Sequence, residues 1–489
     1  MNRRMVFYLL GKILLIEAVL MLLPLTCAVI YSEPSAIKAF GITIALGLVI
    51  GAVLTKASNP KDKTIFAKEG FVIVALSWVT LSVIGALPFV ISGAIPNFID
   101  AFFETVSGFT TTGATILGGD EIEAMSKGLL FWRSFTHWIG GMGILVLVMA
   151  VAPTDSGRSI HIVRAEMPGP IVGKLVPKLK STAKILYLIY ICLTFLEVIM
   201  LFAGGMSLFE SLVHSFGTAG TGGFGVKGDS IASYSPYLQW VITVFMLIFG
   251  INFNIYYLIL AGKARTAFRS EELWCYVGIV MAAVALVTYN IHNLVDGFWE
   301  TVRRSAFQVA SIITTTGYAT TDFNLWPGLS KGILFILMFV GACAGSTAGG
   351  IKVSRIVLLF KRISANLRHM LHPRGAEAVR FEGKKVENET LNGVLVYFAI
   401  YFICFTTIFF ILLFEPFDFE TNISAVAACF NNVGPGLSKV GPMGNYDIYS
   451  YLSKMVLSVA MLLGRLEIYP LILLFSPTNW LKQRKIKKK

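Results

Sequence analysis

Ten stretches of predominantly apolar residues divide this chain, near 8–31, 37–55, 70–92, 128–152, 183–204, 237–261, 272–291, 330–360, 392–415 and 452–476. Each is long enough for a helix to cross the hydrocarbon core of a bilayer, which takes about 20 residues. In that core the backbone polar groups must be satisfied internally, so such runs fold as helices. Composition agrees, with 55% of the 489 residues hydrophobic and 14% charged, against roughly 25% charged in soluble chains. A disordered chain and a disulfide scaffold are excluded by the same figures. The first run follows Met1-Asn-Arg-Arg, but Lys12 and Glu17 interrupt it and no small-residue cleavage site follows closely. It reads as an uncleaved span.

An even number of spans puts both termini on one side. Lys56, Lys61, Lys63 and Lys68 fill the first gap on that side, and Arg158, Arg164, Lys174, Lys178 and Lys180 the next. Lys263, Arg265 and Arg269, the dense segment from Lys352 to Lys385, and the tail Lys482 to Lys489 complete the set. Loops rich in lysine and arginine stay in the cytoplasm, so both termini are expected there. The net charge of +13 therefore reads as topology, and no nucleic-acid partner is expected. Cys27, Cys192, Cys275, Cys343, Cys404 and Cys429 lie mostly in or beside apolar runs at no metal-like spacing and read as small buried hydrophobes.

Four gaps on the opposite side, near 93–127, 205–236, 292–329 and 416–451, are too apolar for simple loops. Each has an aromatic-rich half followed by glycines and hydroxyl residues. Too short to span, such segments dip in and return, which is tolerated where the backbone lines a water-filled path or is buried in protein. They also resemble one another. Ser107-Gly-Phe-Thr-Thr-Thr-Gly113 and Ser311-Ile-Ile-Thr-Thr-Thr-Gly317 share one pattern, with Gly220-Thr221-Gly222 and Asn432-Val433-Gly434 in the other two gaps. Taking Gly113, Gly222, Gly317 and Gly434 as equivalent gives separations of 109, 95 and 117 residues. A second glycine, Gly141, Gly250, Gly345 or Gly464, follows 28, 28, 28 and 30 residues later, where a small residue lets helices approach closely.

The expected fold is an all-α polytopic membrane protein, a fourfold pseudo-symmetric bundle of four span–pore-loop–span repeats plus two N-terminal helices. The division runs 1–60 for the helix pair, then repeats at 61–165, 166–265, 266–385 and 386–489, the last including the basic tail. Four glycine-bearing loops around one axis can turn successive carbonyls inward, and rings of carbonyls replace the hydration shell of a cation. Thr111, Thr112, Thr221, Thr315 and Thr316 add hydroxyl oxygens, which hard cations prefer. No carboxylate lies within the four filter segments, which favours a monovalent ion.

On these motifs, together with Gly345-Ser-Thr-Ala-Gly-Gly-Ile-Lys352 and Gly464-Arg-Leu-Glu467, the whole chain strongly resembles the Trk/Ktr/HKT superfamily of potassium transporters. The N-terminal helix pair favours its TrkH branch. The resemblance implies potassium uptake across a bacterial inner membrane, with no organic cofactor on this chain. It also implies a homodimer with one pore per protomer, and a cytosolic, nucleotide-binding, TrkA-like regulatory subunit. The cation ligands it implies are Thr111, Thr112, Gly113, Gly220, Thr221, Gly222, Thr315, Thr316, Gly317, Asn432, Val433 and Gly434. Gating is assigned by the same resemblance to Gly345, Ser346, Thr347, Ala348, Gly349, Gly350 and Lys352, where the glycines interrupt an apolar run. Arg465 joins that set because a charge in mid-helix is a functional signal in a membrane. Glycine at 220 and Asn432-Val433 depart from the threonine pairs of the other repeats, which by resemblance implies a less strictly selective filter. Gly113 argues for potassium, since some sodium-preferring relatives carry serine at the first filter glycine.

A sodium-permeable or ion-coupled symporter of the same fold is the near alternative. Units running in one orientation favour a fixed pore over the inverted repeats of alternating access. An enzyme would need a catalytic set such as His-Glu-x-x-His, and the chain has none. Gly220-x-Gly222-x-x-Gly225 and Gly345 to Lys352 imitate nucleotide-binding loops in spelling but lie in the wrong surroundings. His137, four residues after Arg133, suggests a polar contact in the first repeat, and Glu197 a buried partner that the sequence does not identify.

Overall fold

A computed structural model describes residues 2–58, 60, 67–143, 179–373 and 378–475. Among the described residues the regular structure is helical apart from one two-stranded hairpin, which pairs Arg380–Phe381 with Lys384–Lys385. The expected basic segment from Arg158 to Lys178, the tail from Lys482, and the division points at 60 and 165 all touch or lie outside the described residues.

The first span, Arg3–Leu20 continued by Leu22–Ile30, packs antiparallel on Pro34–Ala57. Small residues set that spacing. A Cβ on Gly11 would lie 2.8 Å from the Gly51 carbonyl oxygen, so the two backbones are in direct contact.

After this pair one pattern recurs four times: an outer helix, a short pore helix, an extended segment and an inner helix. The outer helices are Ala67–Ser92, Leu179–Ala203, Glu271–Ile291 and Asn388–Leu412. The pore helices Phe98–Phe109, Leu208–Gly220, Phe298–Ile313 and Phe419–Phe430 have 12, 13, 16 and 12 residues. At 1.5 Å per residue they fall short of a bilayer core of about 30 Å. Their starts are written in the sequence: Asn97, Ser207 and Asp418 accept first-turn amides.

The third inner helix is interrupted, as its glycines lead one to expect, and the second and fourth differ from the expectation of single spans. Pro236–Phe249 bends by 87° into Phe253–Leu260. Gly328–Val340 stops at Gly341, and a loop leads to Val353–Leu371. Tyr451–Arg465 breaks at Glu467 and Ile468, both left-handed, before Tyr469–Phe475. Lys127–Gly141 is described as far as Gly143. Six described helices are long and apolar enough to cross a membrane alone, and the bent pair makes a seventh.

Hydrogen bonds above the pore helices join each repeat to the next. Gly228 N–H donates to Glu123 at 3.0 Å, and Ile231 N–H to the Ala319 carbonyl at 3.0 Å. Asn324 and Ser438 bond reciprocally at 3.1 and 2.9 Å, and Tyr446 N–H reaches the Thr115 carbonyl at 2.8 Å. The circuit therefore closes from fourth repeat to first. Two lysines at matching positions, the fourth residue of their inner helices, reinforce it. Lys454 bonds Asp100 at 2.7 Å, and Lys331 bonds Glu420 at 3.3 Å. Lys454 is 3% exposed, whereas Lys331 and Glu420 are 28% and 45% exposed. Lys454→Met is therefore expected to lower stability by about 2 kcal/mol, since it leaves Asp100, 14% exposed, without its cation. Lys331→Met is expected to cost less than about 1 kcal/mol. Thermal unfolding of the two variants in detergent checks the order.

Candidate functional site

Each pore helix ends in the same turn. The amides of Thr111, Thr221, Thr315 and Asn432 bond carbonyls three residues back, at 3.1, 3.0, 3.1 and 3.3 Å. Those of Thr112, Gly222, Thr316 and Val433 bond five residues back, at 2.9, 2.9, 2.8 and 2.8 Å. This is the Schellman ending, whose penultimate residue is left-handed and usually glycine. Here the position holds Thr111, Thr221, Thr315 and Asn432, with φ between 55° and 57°. Asparagine tolerates that conformation; a β-branched threonine does not.

The turn fixes the register of the four loops. Two residues after each left-handed position comes a left-handed glycine: Gly113, Gly223, Gly317 and Gly434. In the second repeat the glycine equivalent to Gly113 is thus Gly223, and Gly222 corresponds to Thr112, Thr316 and Val433. Gly220 falls before the left-handed residue, matching Thr110 and Asn431 in the helix-end position. The expected alignment was one residue out there, because Gly222 and Gly223 are adjacent and only backbone conformation separates them.

The glycines interlock around the axis. A Cβ on Gly113 would lie 2.0 Å from the Gly222 carbonyl oxygen, and one on Gly223 would lie 2.1 Å from that of Thr316. Gly317 meets the Val433 oxygen at 2.3 Å, and Gly434 meets that of Thr112 at 2.6 Å. Each glycine faces the residue before the glycine in the following loop, and the fourth faces the first. The loops form a closed ring.

A cavity lined by Gly113, Gly223, Gly317 and Gly434 opens on one side of the ring. On the other side a second cavity touches Gly141, Gly349, Gly464, Lys352 and Arg465. The pore helices end at the ring, so their negative dipole ends favour a cation there. Below the glycines, the Thr111 hydroxyl oxygen is buried without a hydrogen-bond partner. Thr112 and Thr316 instead pair with Thr110 and Thr314 at 2.8 Å, and Asn432 donates to Thr112 at 3.0 Å.

The segment from Gly341 to Lys352 folds back beneath the ring. The Gly349 amide donates to the Thr315 hydroxyl at 2.7 Å, a direct bond to the turn that ends the third pore helix. Arg465 spans from the Thr347 carbonyl at 2.7 Å to those of Gly140 and Gly141 at 2.6 and 2.9 Å. Lys352 donates to the Ala348 carbonyl. All three groups of expected gating residues thus meet at one place. The break starts earlier than the glycine spacing suggests, and Gly345 is a loop residue with φ 72°. In its packing contact, the loop residue Gly349 is instead the counterpart of Gly141 and Gly250. These three pack on Gly220, Thr314 and Asn431, the matching pore-helix ends of the following repeats.

Behind the first loop Arg133 pairs with Glu104 at 2.6 Å, stacks on Phe224, and donates to the Gly225 carbonyl at 3.3 Å. His137 bonds the Gly108 carbonyl at 2.8 Å rather than Arg133. Glu197 is fully buried and faces Thr218 of its own pore helix. The sequence marks Phe224 as the end of the Gly220-Thr-Gly-Gly-Phe224 motif but not Glu104, although that is an acidic residue inside an otherwise apolar stretch of pore helix.

A helical bundle wrapped around a closed ring of re-entrant loops defines a multi-pass membrane transport protein and not an enzyme. Residues 36–274 and 274–484 match the TrkH family, described as cation transport proteins. The chain belongs to that family. It is 35% identical over 487 residues to the Trk system potassium uptake protein TrkH of Salmonella typhimurium, covering 98% of this chain and all of the relative. The potassium uptake protein TrkG of Escherichia coli is 32% identical, with 98% of each chain covered. The crystal structure of the potassium transporter TrkH from Vibrio parahaemolyticus superposes with a TM-score of 0.89 at 32% identity, covering 98% of this chain and 100% of that one.

A threonine held left-handed costs on the order of 1–3 kcal/mol. Thr111→Gly is therefore expected to leave stability unchanged or raise it by about 1 kcal/mol, while lowering cation flux through loss of the unpartnered hydroxyl. Thermal unfolding and liposome flux on one preparation check both halves.

Proposed function

We propose that this chain takes up potassium across the bacterial inner membrane through the ring of four loops. The observation that carries this reading is the closed circuit of glycine and carbonyl contacts. It leaves oxygen atoms from four chain segments around one path, with no acidic side chain among them. Several weak oxygen sites in line let a dehydrated monovalent ion enter and still leave. The names of the relatives, all potassium uptake proteins, support the choice of ion. Both termini lie in the cytoplasm by the distribution of lysine and arginine.

In the same reading, the segment from Gly345 to Gly350 with Lys352 is the gate, and Arg465 is its latch. The guanidinium ties the loop to the inner helix of the first repeat, across the inner mouth of the ring. A homodimer and a cytosolic TrkA-like nucleotide-binding subunit complete the assembly, the partner supplying the force that withdraws the loop. The described cytoplasmic segment of 352–391 is a helix, a small hairpin and the start of the next span, which leaves nucleotide sensing to a separate chain.

The test is flux into liposomes carrying the purified protein, driven by potassium and then by sodium. Potassium flux is expected to exceed sodium flux. Gly223→Ser is expected to abolish that preference, because its side chain would displace the Thr316 carbonyl. Equal selectivity in the variant would refute the ring as the filter. Arg465→Ala is expected to raise partner-independent flux by at least about tenfold, since even one charge-assisted hydrogen bond is worth about 1.5–3 kcal/mol. The same liposomes, without added partner, report it.

A further inference from the structure

Glu272 takes no part in the ring or the latch, yet its carboxylate reaches the gating segment. It lies in the first turn of the third outer helix, Glu271–Ile291, and is 5% exposed. A glutamate there ordinarily serves the amides of its own helix. This one turns away from them. Its Oε1 accepts the Ala344 amide at 2.7 Å and the Ser354 amide at 3.2 Å. Those two amides flank the loop, one just after Gly341 and the other in the first turn of Val353–Leu371. The neck between them is also closed by Val353 N–H on the Ala342 carbonyl and Ile351 N–H on that of Phe339, at 3.0 and 3.1 Å.

The cytoplasmic hairpin braces the same spot. Glu382, at its tip, accepts from the Ser270 hydroxyl at 2.9 Å and from the backbone amide of Glu272 at 3.1 Å. Phe381, Val379 and Val386 bury against Leu358 of the helix that follows the loop, and against Leu391 and Val394 of the fourth outer helix. Lys361 donates to the Arg380 carbonyl at 2.8 Å and pairs with Glu271. A continuous chain of contacts thus runs from hairpin to Glu272, to both ends of the loop, and through Gly349 to Thr315 in the filter turn.

We propose that Glu272 is a positioning residue of the gate, a clasp that joins the two ends of the loop, with the hairpin fixing the clasp through Glu382. The inference rests on the reading of this loop as the gate. While one carboxylate oxygen holds both amides, the loop ends stay together and Gly349 stays seated on Thr315. Releasing the oxygen removes two of the four hydrogen bonds that close the neck and shifts the population toward the withdrawn loop.

Rubidium uptake by liposomes carrying the full chain without a partner tests this, on E272A, E272Q and a variant lacking Ser346 to Ala348. Glutamine retains an acceptor oxygen and alanine does not. E272A is expected to raise basal uptake about tenfold and E272Q to stay within about twofold of wild type. The preference for potassium over sodium should be unchanged in both, which a general loosening of the fold would not leave intact. Wild-type uptake in E272A beside fast uptake in the shortened loop overturns the clasp and leaves the gate standing. Wild-type uptake in both overturns the gate as well. E382A, which lies outside the buried core, supplies a second readout: hydrogen exchange is expected to quicken at the Ala344 and Ser354 amides. Unchanged exchange there also overturns the proposal.

Discussion

Each pore loop places a glycine so close to a carbonyl of the next loop that no side chain fits between them. This contact, made four times around the axis, fixes the separation of the loops and so the width of the path they enclose. It also explains why the surrounding architecture has to be stiff. Backbones in contact cannot be adjusted by repacking side chains, and a shift of a few tenths of an ångström in one loop is felt by its neighbour. The hydrogen-bonded circuit above the ring, the Lys454–Asp100 bridge and the Arg133–Glu104 pair all bear on that rigidity. The circuit joins each repeat to the next, Arg133 also reaches the second repeat at Phe224 and Gly225, and Lys454 ties the fourth repeat to the first, where a single chain most easily opens.

The helix ends add a second constraint. A Schellman turn built on glycine would be relaxed, whereas one built on Thr111, Thr221 and Thr315 is strained. Strain of this kind persists where surrounding structure over-determines the backbone, and the ring provides that. It keeps a hydroxyl at the inner edge of each of three loops. In the third loop that hydroxyl is already engaged by Gly349, so the position of the segment beneath the ring and the availability of the Thr315 oxygen are one variable rather than two. Arg465 and Glu272 hold the segment from opposite sides, one through carbonyls and the other through amides.

Much of this was legible in the sequence because the bilayer imposes simple rules. Run length gave the outer helices, and apolar gaps too short to cross gave the pore helices. Asn97, Ser207 and Asp418 mark where three of those begin. Register was harder. Thr221-Gly222-Gly223 offers two glycines, and spacing alone chose the first, while the turn geometry selects the second. Backbone strain at Thr111 was not readable at all, since no propensity rule puts a β-branched residue in the left-handed region. The glycines of 345–350 marked the break in the third inner helix, whereas those in the second and fourth left fainter signals that hydropathy overrode: Asn252 as a helix cap, and Pro470 in the first turn after the break at Glu467. Glu272 carries no mark in the sequence, because its partners are backbone amides more than seventy residues away.

The central claim is that the four loops bind a dehydrated monovalent cation on their common axis. Anomalous diffraction from crystals grown in rubidium tests it directly, as rubidium substitutes for potassium and scatters strongly. Density is predicted on the axis between the left-handed threonines and Gly113, Gly223, Gly317 and Gly434, and replacing rubidium by sodium should remove it. Rubidium found off the axis, or an empty ring at saturating rubidium, would contradict the account.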